Sequence, residues 1–431
     1  MKKMTYKQAR ELVSKHIKEN HHKFIDDSEC EATISHFLQS PAICPPFMPY
    51  KLFMECKDLL SGKKKALNDK VKKAAELAIE YQPNLQFVDD SIPFPPPATP
   101  KFTFIDLFAG IGGFRIAMQE NGGKCVFSCE WDKYAKKTYE ANFGETPYGD
   151  IRSFKVKNIP IPTHDVLCAG FPCQPFSLAG VSKKNSMGRK HGFEDETQGT
   201  LFFEIASIIS EKRPKAFFLE NVKNLFRHDK GKTFEIIRRT LVDELKYIVN
   251  WDIVDGSKWV PQHRERLFIV GYNPELINIS KEEIIIPKIP EAGYKYPELS
   301  DIIQEKVGNQ YTLGPGTWDT LERHKAHHAK VGNGFGYGLH KMPIKKGEIT
   351  RTISARYHKD GAEILIEQKG KNPRRLTVEE AMQLQGYTPS KFHFPLSVSG
   401  TQAYRQIGNS VVVPAVTATA KEVSIVLKNN R

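Results

Sequence analysis

Short apolar runs separated by helix-length amphipathic segments dominate the chain between residues 101 and 271. FTFIDLF, KCVFSCE, HDVLCAGF, KAFFLENV and RLFIVGY are such runs, and segments such as TLFFEIASIISEKR lie between them. This alternation is typical of buried parallel strands that are joined by crossover helices. It predicts a doubly wound α/β domain over residues 101–271.

The pattern changes on both sides of this region. Residues 1–90 combine helical periodicity with charge, as in SGKKKALNDKVKKAAELAIEYQ over 61–82, and predict a helical extension. SIPFPPPATP over 91–100 predicts a proline-stiffened linker. Residues 272–397 lose the alternation and become rich in proline, glycine, histidine and basic residues, which predicts a smaller, irregular domain. Residues 398–431 return to apolar content and predict a helix that rejoins the α/β domain.

The chain is basic, and the positive charge is unevenly distributed. Its 431 residues include 63 Lys and Arg against 50 Asp and Glu, a formal net charge of +13. Residues 301–376 hold 14 Lys and Arg against 8 Asp and Glu. A concentrated basic excess favours a polyanionic partner such as nucleic acid, although solvated surface lysine gives the same count.

The cysteine content and the N-terminal residues indicate the cellular compartment of the protein. Seven cysteines, an odd number without a C-x-x-C pair, argue against a disulfide framework and against structural zinc. The start, MKKMTYKQARELVSKHIKEN, lacks the apolar run of a signal peptide, and nowhere do about 18 apolar residues follow one another. We therefore expect a cytoplasmic protein with no membrane partner.

The first candidate for chemistry is IDLFAGIGGF over residues 105–114. It predicts a strand, a glycine turn and a helix starting near Phe114, at a point where doubly wound sheets bind nucleotides. The next apolar run ends in Glu130, twenty residues after Gly110, a separation at which a carboxylate binds ribose hydroxyls. Trp131 beside it is suited to stack on adenine. The absence of G-x-G-x-x-G spacing favours S-adenosyl-L-methionine over a pyrophosphate cofactor; a turn that only packs helix on strand is the alternative.

The second candidate is FPCQPFS, which follows the predicted strand HDVLCAGF and contains Cys173. The carboxyl ends of strands carry the sites of α/β folds. Pro172 and Pro175 restrict the backbone on both sides of the thiol, which suits a side chain that must be aimed. The pattern predicts a nucleophile at Cys173. A buried, inert thiol is the alternative, and it fits the cysteines that lie inside strand-like runs.

Ionisable groups follow two more strand patterns. FFLENV puts Glu220 after an apolar run, where desolvation raises a carboxyl pKa and permits proton donation near neutral pH. QHRERLFIV directs Arg264 and Arg266 to the same side of a strand. Solvated surface charge is the alternative for all three. His324 and His328 have helical spacing but lack the acidic residue of H-E-x-x-H, so we expect a basic surface against phosphate and no metal.

Taken in order, these segments resemble the DNA cytosine-5 methyltransferases. DLFAGIGGF, the Glu130–Trp131 pair, GDI, GFPCQPFS, ENV, QHRERLF, RRLTVEEAMQLQGY and YRQIGNSVVVP match the ordered motifs of that family across about 310 residues. GNGFGYG and TRTISARYHKDGAEILI extend the resemblance to the Dcm-like bacterial branch. The resemblance implies a Rossmann-like, S-adenosylmethionine-dependent methyltransferase domain over 101–271 plus 398–431. It also implies a target-recognition domain over 272–397 and methylation of the inner cytosine of 5′-CCWGG-3′.

The resemblance further implies roles for single residues. Cys173 is the expected nucleophile, Glu220 the carboxylate that binds cytosine N3, and Arg266, with Arg264 nearby, binds the base or its phosphate. The methyl donor, which leaves as S-adenosyl-L-homocysteine, is expected to contact Phe108, Gly110, Ile111, Gly112, Glu130, Trp131, Asp150, Ile151, Pro172, Asn409, Ser410 and Val411. The expected DNA contacts are Ser177, Gln262, Arg351 and Arg356.

Other functions remain open alongside this resemblance. A tRNA methyltransferase of the same family is disfavoured by the large basic region at 272–373. A DNA-binding regulator without catalysis is disfavoured because Cys173, Glu220 and Arg266 occur together, and an NAD-dependent dehydrogenase by the missing third glycine. We expect a monomer that acts on double-stranded DNA, either beside a cognate restriction endonuclease on a separate chain or as an orphan methylase.

Overall fold

A computed structural model of the chain describes residues 4–20, 22–61, 92–172, 201–332 and 336–430. The helix predicted over 61–82 lies outside these ranges apart from its first residue. Cys173, Ser177 and residues 333–335 of GNGFGYG also lie outside them.

A six-stranded mixed sheet with order β2-β1-β3-β4-β6-β5 forms the centre of the molecule. The strands β1 to β4 are mutually parallel, as the alternating runs predict, and β2 lies at one edge. The strand bounds are β1 Phe102–Leu107, β2 Gly123–Cys129, β3 Val166–Gly170, β4 Ala216–Val222, β5 Ile248–Asp255 and β6 Glu265–Tyr272.

The far edge of the sheet departs from the prediction of parallel strands. β6 runs antiparallel to both β4 and β5. Only residues 256–264 join β5 to β6, and this connection is too short for the crossover that a parallel pair requires. The sequence IVNWDIVD of β5 was not among the predicted strands, because polar residues interrupt it at the partly exposed sheet edge.

Helices cover both faces of the sheet, so its central strands are buried on both sides. Ile105 and Phe217 share one core with the helix α7, while Phe104 and Phe218 share the opposite core with α4 and α13. The helix bounds are α1 Tyr6–Glu19, α2 Cys30–Gln39, α3 Tyr50–Leu60, α4 Gly113–Glu120, α5 Lys133–Phe143, α6 Arg152–Val156, α7 Leu201–Lys212, α8 Lys232–Arg238, α9 Leu299–Ile302, α10 Pro315–Lys330, α11 Val378–Gln383, α12 Gly400–Asn409 and α13 Val413–Asn429. The arrangement confirms the doubly wound α/β class.

The N-terminal residues pack onto this sheet domain. Phe37 and Leu52 belong to a small core of α1–α3, whereas Phe47 belongs to the core of the sheet. Part of the proline-rich segment also packs there, since Phe94 lies among apolar side chains and its N–H donates to the Asn142 carbonyl at 3.0 Å. The segment predicted as a linker therefore adheres to the α/β domain.

Residues after β6 divide between the sheet domain and a smaller unit. Ile277 and Ile284 pack in the core beneath α13, and Ile353 belongs to a core shared with the glycine turn. The smaller unit has a three-stranded sheet of β7 Leu339–His340, β8 Leu365–Gln368 and β9 Lys371–Arg375. Of TRTISARY, only Thr350 forms a bridge, and turns begin at residue 355.

Within the described ranges, no single helix is long and apolar enough to cross a bilayer. The helices α12 and α13 meet the same test only as a pair bent by 42°.

Candidate active site

A cleft of about 560 Å³ opens at the carboxyl ends of β1, β2, β3 and β4. Side chains and backbone from many sequence-distant segments line it, and the ends of the parallel strands bring several of them together. The lining includes all the predicted cofactor residues except Gly112, and it includes Glu220, Arg264 and Arg266.

The glycine turn after β1 is held in an unusual backbone conformation. Gly112 has a φ of +86°, and a Cβ at this position would lie 2.1 Å from the Phe143 ring. Phe108 also has a positive φ, +56°, which is rare for a bulky residue. Such strained residues cluster at ligand sites, and the turn aims Gly110 and Ile111 into the cleft. Gly112 therefore contributes the turn itself and not a lining surface.

Glu130 and Trp131 lie opposite the turn, at the end of β2. One carboxylate oxygen of Glu130 accepts from the Gly110 N–H at 2.8 Å, and the other accepts from the Asp132 N–H at 2.8 Å. Burial raises the pKa of Glu130, and these backbone bonds oppose that shift. The Trp131 ring is 78% exposed although it lines the cleft. A buried carboxylate next to an exposed aromatic side chain suits a nucleoside.

Asp150 and Ile151 form the adjoining wall. The Asp150 carboxylate binds the Arg152 guanidinium, with Nε to Oδ2 at 2.9 Å. This pairing lowers the pKa of Asp150 and keeps it ionised. The prediction that Asp150 belongs with the glycine turn is consistent with their shared cleft.

Glu220 and Arg266 form an ion pair deep in the cleft. The Arg266 Nε lies 3.0 Å from Glu220 Oε1, and both side chains are largely buried. Burial raises the pKa of Glu220, although Arg266 and Arg264 pull it down. The carboxyl group is therefore easier to protonate than an exposed glutamate, as the sequence analysis anticipated.

Arg264 has a different environment from Arg266. Its guanidinium donates to the backbone carbonyls of Ile353 at 3.0 Å, Gly408 at 2.9 Å and Ser410 at 2.5 Å. The side chain is buried, and burial lowers its pKa to about 9. These carbonyls take up the Nη1 and Nη2 groups, whereas the buried Nε has no hydrogen-bond partner within the described ranges. Arg264 therefore connects three chain segments.

The segment that leads to Cys173 is anchored by Asn221. Its Nδ2 donates to the Phe171 carbonyl at 2.8 Å, and the amide is buried. Asn221 follows Glu220 directly, so β4 supplies both the buried carboxyl group and the anchor. Pro172 lines the cleft, and Cys173 and Ser177 lie outside the described residues.

Residues 409–411 cover the cleft from the side of α12. The hydroxyl groups of Ser410 and Tyr387 are 2.6 Å apart. A Cβ on Gly113 would lie 2.5 Å from a methyl group of Val411, so this segment packs closely against the start of α4. Asn409 is exposed at the rim.

The predicted DNA contacts have contrasting environments. Gln262 is fully buried, and its amide donates to the Leu384 carbonyl and accepts from the Ile353 N–H. The prediction that Gln262 contacts DNA is therefore not met, because both amide atoms are used inside the protein. Arg351 and Arg356 are exposed, and the Arg351 guanidinium donates to the Gly336 carbonyl.

Some cleft residues were absent from the sequence-based assignments. Asn221 was noted in ENV without a role, and nothing in a single sequence indicates that its amide binds the Phe171 carbonyl. Gln402, Arg405 and Gln406 also line the cleft from α12. The signal for Arg405 and Gln406 was present in YRQIGNSV, because helical spacing puts one face of this segment beside residues 409–411.

The described residues contain one cluster of possible metal ligands, formed by His16, His22 and Glu55. The Asn20 amide donates to His16 Nδ1 at 3.1 Å, so the ring hydrogen lies on Nε2, which faces Glu55. His22 Nε2 lies 2.6 Å from the Glu55 carboxylate, whereas His16 Nε2 has no hydrogen-bond partner among the described side chains. His324 and His328 lie on the exposed helix α10.

Comparison with known proteins agrees with this geometry. The model of the C-5 cytosine-specific DNA methylase family matches residues 102–424. The type II methyltransferase M.SsoII of Shigella sonnei is 49% identical over 336 residues, covering 78% of this chain and 83% of that protein. The DNA-cytosine methyltransferase of Escherichia coli K12 is 46% identical, covering 77% of this chain and 79% of that protein.

Solved structures agree on the fold. The Dnmt2 methyltransferase of S. pombe has a TM-score of 0.56 at 15% identity, covering 76% of this chain and 99% of that chain. A DNMT2 mutant of Spodoptera frugiperda has a TM-score of 0.54 at 20% identity with the same coverage. The family model matches three quarters of the chain, and nearly half of the aligned residues are identical to those of the Shigella sonnei and Escherichia coli enzymes. The chain therefore belongs to the C-5 cytosine-specific DNA methylases and is a DNA (cytosine-5-)-methyltransferase.

Proposed function

We propose that the enzyme methylates C5 of a cytosine flipped out of duplex DNA, through a covalent bond between Cys173 and C6 of the ring. The observation that carries this proposal is the buried Glu220–Arg266 pair in the same cleft as the glycine turn. Gly170 is the register partner of Glu220, and Cys173 follows Gly170 by three residues. Three residues span at most about 10 Å, so the length of the chain permits a thiol at position 173 to reach this pair.

The cleft residues fit S-adenosyl-L-methionine. The Glu130 carboxylate suits ribose hydroxyls, the exposed Trp131 ring suits adenine, and Asp150 and Ser410 offer further polar contacts. A volume of about 560 Å³ lies within the usual range for ligands of this size. When bound, S-adenosyl-L-methionine supplies an electrophilic methyl group and leaves as S-adenosyl-L-homocysteine.

Cys173 overcomes the poor reactivity of the cytosine ring. C5 is too weak a nucleophile to take a methyl group unaided. Addition of the Cys173 thiolate at C6 breaks the C5–C6 double bond and gives C5 the character of an enamine carbon. After C5 is methylated, a water molecule takes the C5 proton, its electron pair restores the C5–C6 double bond, and the C6–S bond breaks to release the thiolate. The sulfur is thus returned unchanged.

Glu220 and Arg266 stabilise the charge that develops on the ring. A protonated Glu220 donates to N3, which draws electron density from C6 and favours thiolate addition. The raised pKa of Glu220 supports this protonated form. The Arg266 guanidinium is assigned to O2 of the base, where positive charge is useful in a buried setting.

Base flipping costs a few kcal/mol, because the target cytosine must leave the stack before Cys173 can reach its ring. Contacts with phosphates offset this cost, and the basic residues between 272 and 397 are suited to supply them. We assign these residues to target recognition, with Arg351 and Arg356 as candidates for guanine contacts in the major groove. Their exposure supports this assignment.

The proposed target is the inner cytosine of 5′-CCWGG-3′. It rests on the Dcm-like resemblance and on relatives that include the E. coli DNA-cytosine methyltransferase. We propose that the monomeric enzyme protects DNA beside a separate restriction endonuclease, or acts as an orphan methylase. Type II methyltransferases among the relatives favour the protective role.

Bisulfite sequencing of DNA from a methylation-free host that expresses the enzyme tests modification and target together. We expect protected inner cytosines at CCWGG; protection at another sequence would refute the target and leave the chemistry intact. Purified Cys173→Ala is expected to transfer no label from S-adenosyl-L-methionine to duplex DNA. Cys168→Ala, which removes a buried thiol from β3, is the matched control. Full activity of Cys173→Ala would refute the covalent mechanism.

A further inference from the structure

The N-terminal helices bind the framework of the cleft, although the family match begins only at residue 102. Three side chains from α2 and its N-cap residue, Glu29, His36 and Gln39, are buried at this contact. Each is bonded to a different segment of the sheet domain. The three segments are the loop before α6, the end of β2, and α4, which begins at the glycine turn.

Glu29 binds the loop before α6. The Gly149 N–H donates to both carboxylate oxygens, at 3.1 Å and 3.2 Å. The Thr146 N–H of the same loop donates to the Ser35 hydroxyl at 3.1 Å. Gly149 lines the cleft and precedes Asp150, so these two bonds fix the backbone of the cleft wall.

His36 binds the end of β2. Its Nδ1 donates to the Ala32 carbonyl at 2.8 Å, and its Nε2 accepts from the Ser128 N–H at 3.1 Å. Complete burial lowers the pKa of His36, which agrees with a neutral ring in this tautomer. Ser128 precedes Glu130 by two residues, so the bond holds the strand that leads to the Glu130 carboxylate in the cleft lining.

Gln39 binds both helices beside the glycine turn. Its Oε1 accepts from Arg115 Nη2 at 2.9 Å, and its Nε2 donates to the Phe143 carbonyl at 2.7 Å. Arg115 is completely buried on α4 and pairs with Glu145 at 2.9 Å. The Phe143 ring lies against Gly112, so Gln39 connects the extension to both sides of the turn.

We propose that the N-terminal extension positions the binding site of the methyl donor through Glu29, His36 and Gln39. This inference rests on the proposed function, because it takes the cleft to be the cofactor site. The three side chains do not line the cleft, so they act through the backbone that they hold. Loss of these bonds is therefore expected to weaken cofactor binding and to leave duplex binding intact.

Four variants of the full chain test the proposal. Glu29→Ala removes both acceptors of the Gly149 N–H, Glu29→Gln keeps one acceptor oxygen, and Ser35→Ala removes a single hydroxyl. Glu31→Ala is the matched control, because this exposed residue of α2 pairs only with Arg10 on α1 among the described side chains. The measurements are the calorimetric Kd for S-adenosyl-L-homocysteine, the KM for S-adenosyl-L-methionine and for duplex DNA, and Tm.

We expect Glu29→Ala to raise the Kd for S-adenosyl-L-homocysteine about five- to tenfold, with a smaller rise for Ser35→Ala. Glu29→Gln should stay within about twofold of the wild type, as should every KM for DNA. Unchanged cofactor affinity in Glu29→Ala and Ser35→Ala would overturn the proposal. Weakened DNA binding with intact cofactor binding would overturn it too, and would indicate a DNA-binding extension. If the wild type itself fails to bind S-adenosyl-L-homocysteine, the proposed function fails instead.

Discussion

Arg266 Nε lies 3.0 Å from Glu220 Oε1, yet burial still raises the pKa of that carboxyl group. In the proposed mechanism protonated Glu220 is the active form, so the single-turnover rate should fall as the pH rises through this raised pKa. Glu220→Gln cannot titrate, and we expect it to lose this pH dependence together with about 10²- to 10⁴-fold in kcat. Glu265→Gln, one residue from Arg266 and outside the cleft, is the control. A Glu220→Gln enzyme with the wild-type rate and pH profile would contradict the assignment.

Replacement by lysine should affect stability at Arg264 and activity at Arg266. Arg264→Lys cannot reach all three carbonyls, so we expect a loss of about 2–3 kcal/mol in the free energy of unfolding. Arg266→Lys loses the planar donor next to Glu220 but keeps the positive charge, so we expect lower kcat and a smaller loss of stability than for Arg264→Lys. Urea unfolding and single-turnover kinetics separate the two effects. Equal stability losses would argue against the distinct roles.

Gly112→Ala tests the tight packing of the glycine turn. The added methyl group meets the Phe143 ring and also requires a positive φ, whereas Gly347→Ala requires a similar φ in open space. Backbone strain alone should cost about 1 kcal/mol in Gly347→Ala. Gly112→Ala should cost about 1–3 kcal/mol more and should weaken binding of S-adenosyl-L-homocysteine. Matching Tm values for the two variants would show that the turn tolerates a side chain.

The buried side chain of His164 should make the stability of the fold sensitive to acid. Burial lowers its pKa to about 4, while the unfolded chain takes up this proton near pH 6.5. The contribution of His164 to the free energy of unfolding is therefore fully present above pH 6.5. It declines by about 3 kcal/mol in all as the pH falls towards 4. Denaturant unfolding of His164→Asn should show a flatter decline over this window. His393→Asn, at an exposed position, should follow the wild type.

The central strands and the glycine turn were predictable, because a buried parallel strand carries its signal in its own residues. FTFIDLF and HDVLCAGF coincide with β1 and β3, and their ends meet at the cleft. The direction of β6 was not predictable from its apolar run, since pairing depends on which neighbour it contacts. Arg264 and Arg266 likewise share one motif, and only the fold brings carbonyls from residues 353, 408 and 410 to the first of them.

The contacts of the N-terminal helices could not be predicted from the sequence for the same reason. His36 and Ser128 are 92 residues apart, and no local pattern connects a helical histidine to a strand amide. Glu145 appears in the sequence as an ordinary charged residue after a glycine. Its burial against Arg115 becomes evident only when the two chain segments are brought together.

Because β2 lies at the edge of the sheet, the hydrogen bond between His36 and Ser128 has a second consequence. An uncovered edge strand presents free N–H and C=O groups that can recruit a strand from another molecule. Here His36 accepts from the outward N–H of Ser128, and the Ser128 carbonyl accepts from the Tyr148 N–H at 2.9 Å. The N-terminal segment thereby covers the Ser128 N–H at this edge, and a chain shortened to the catalytic core would leave that donor free to recruit a strand from another molecule.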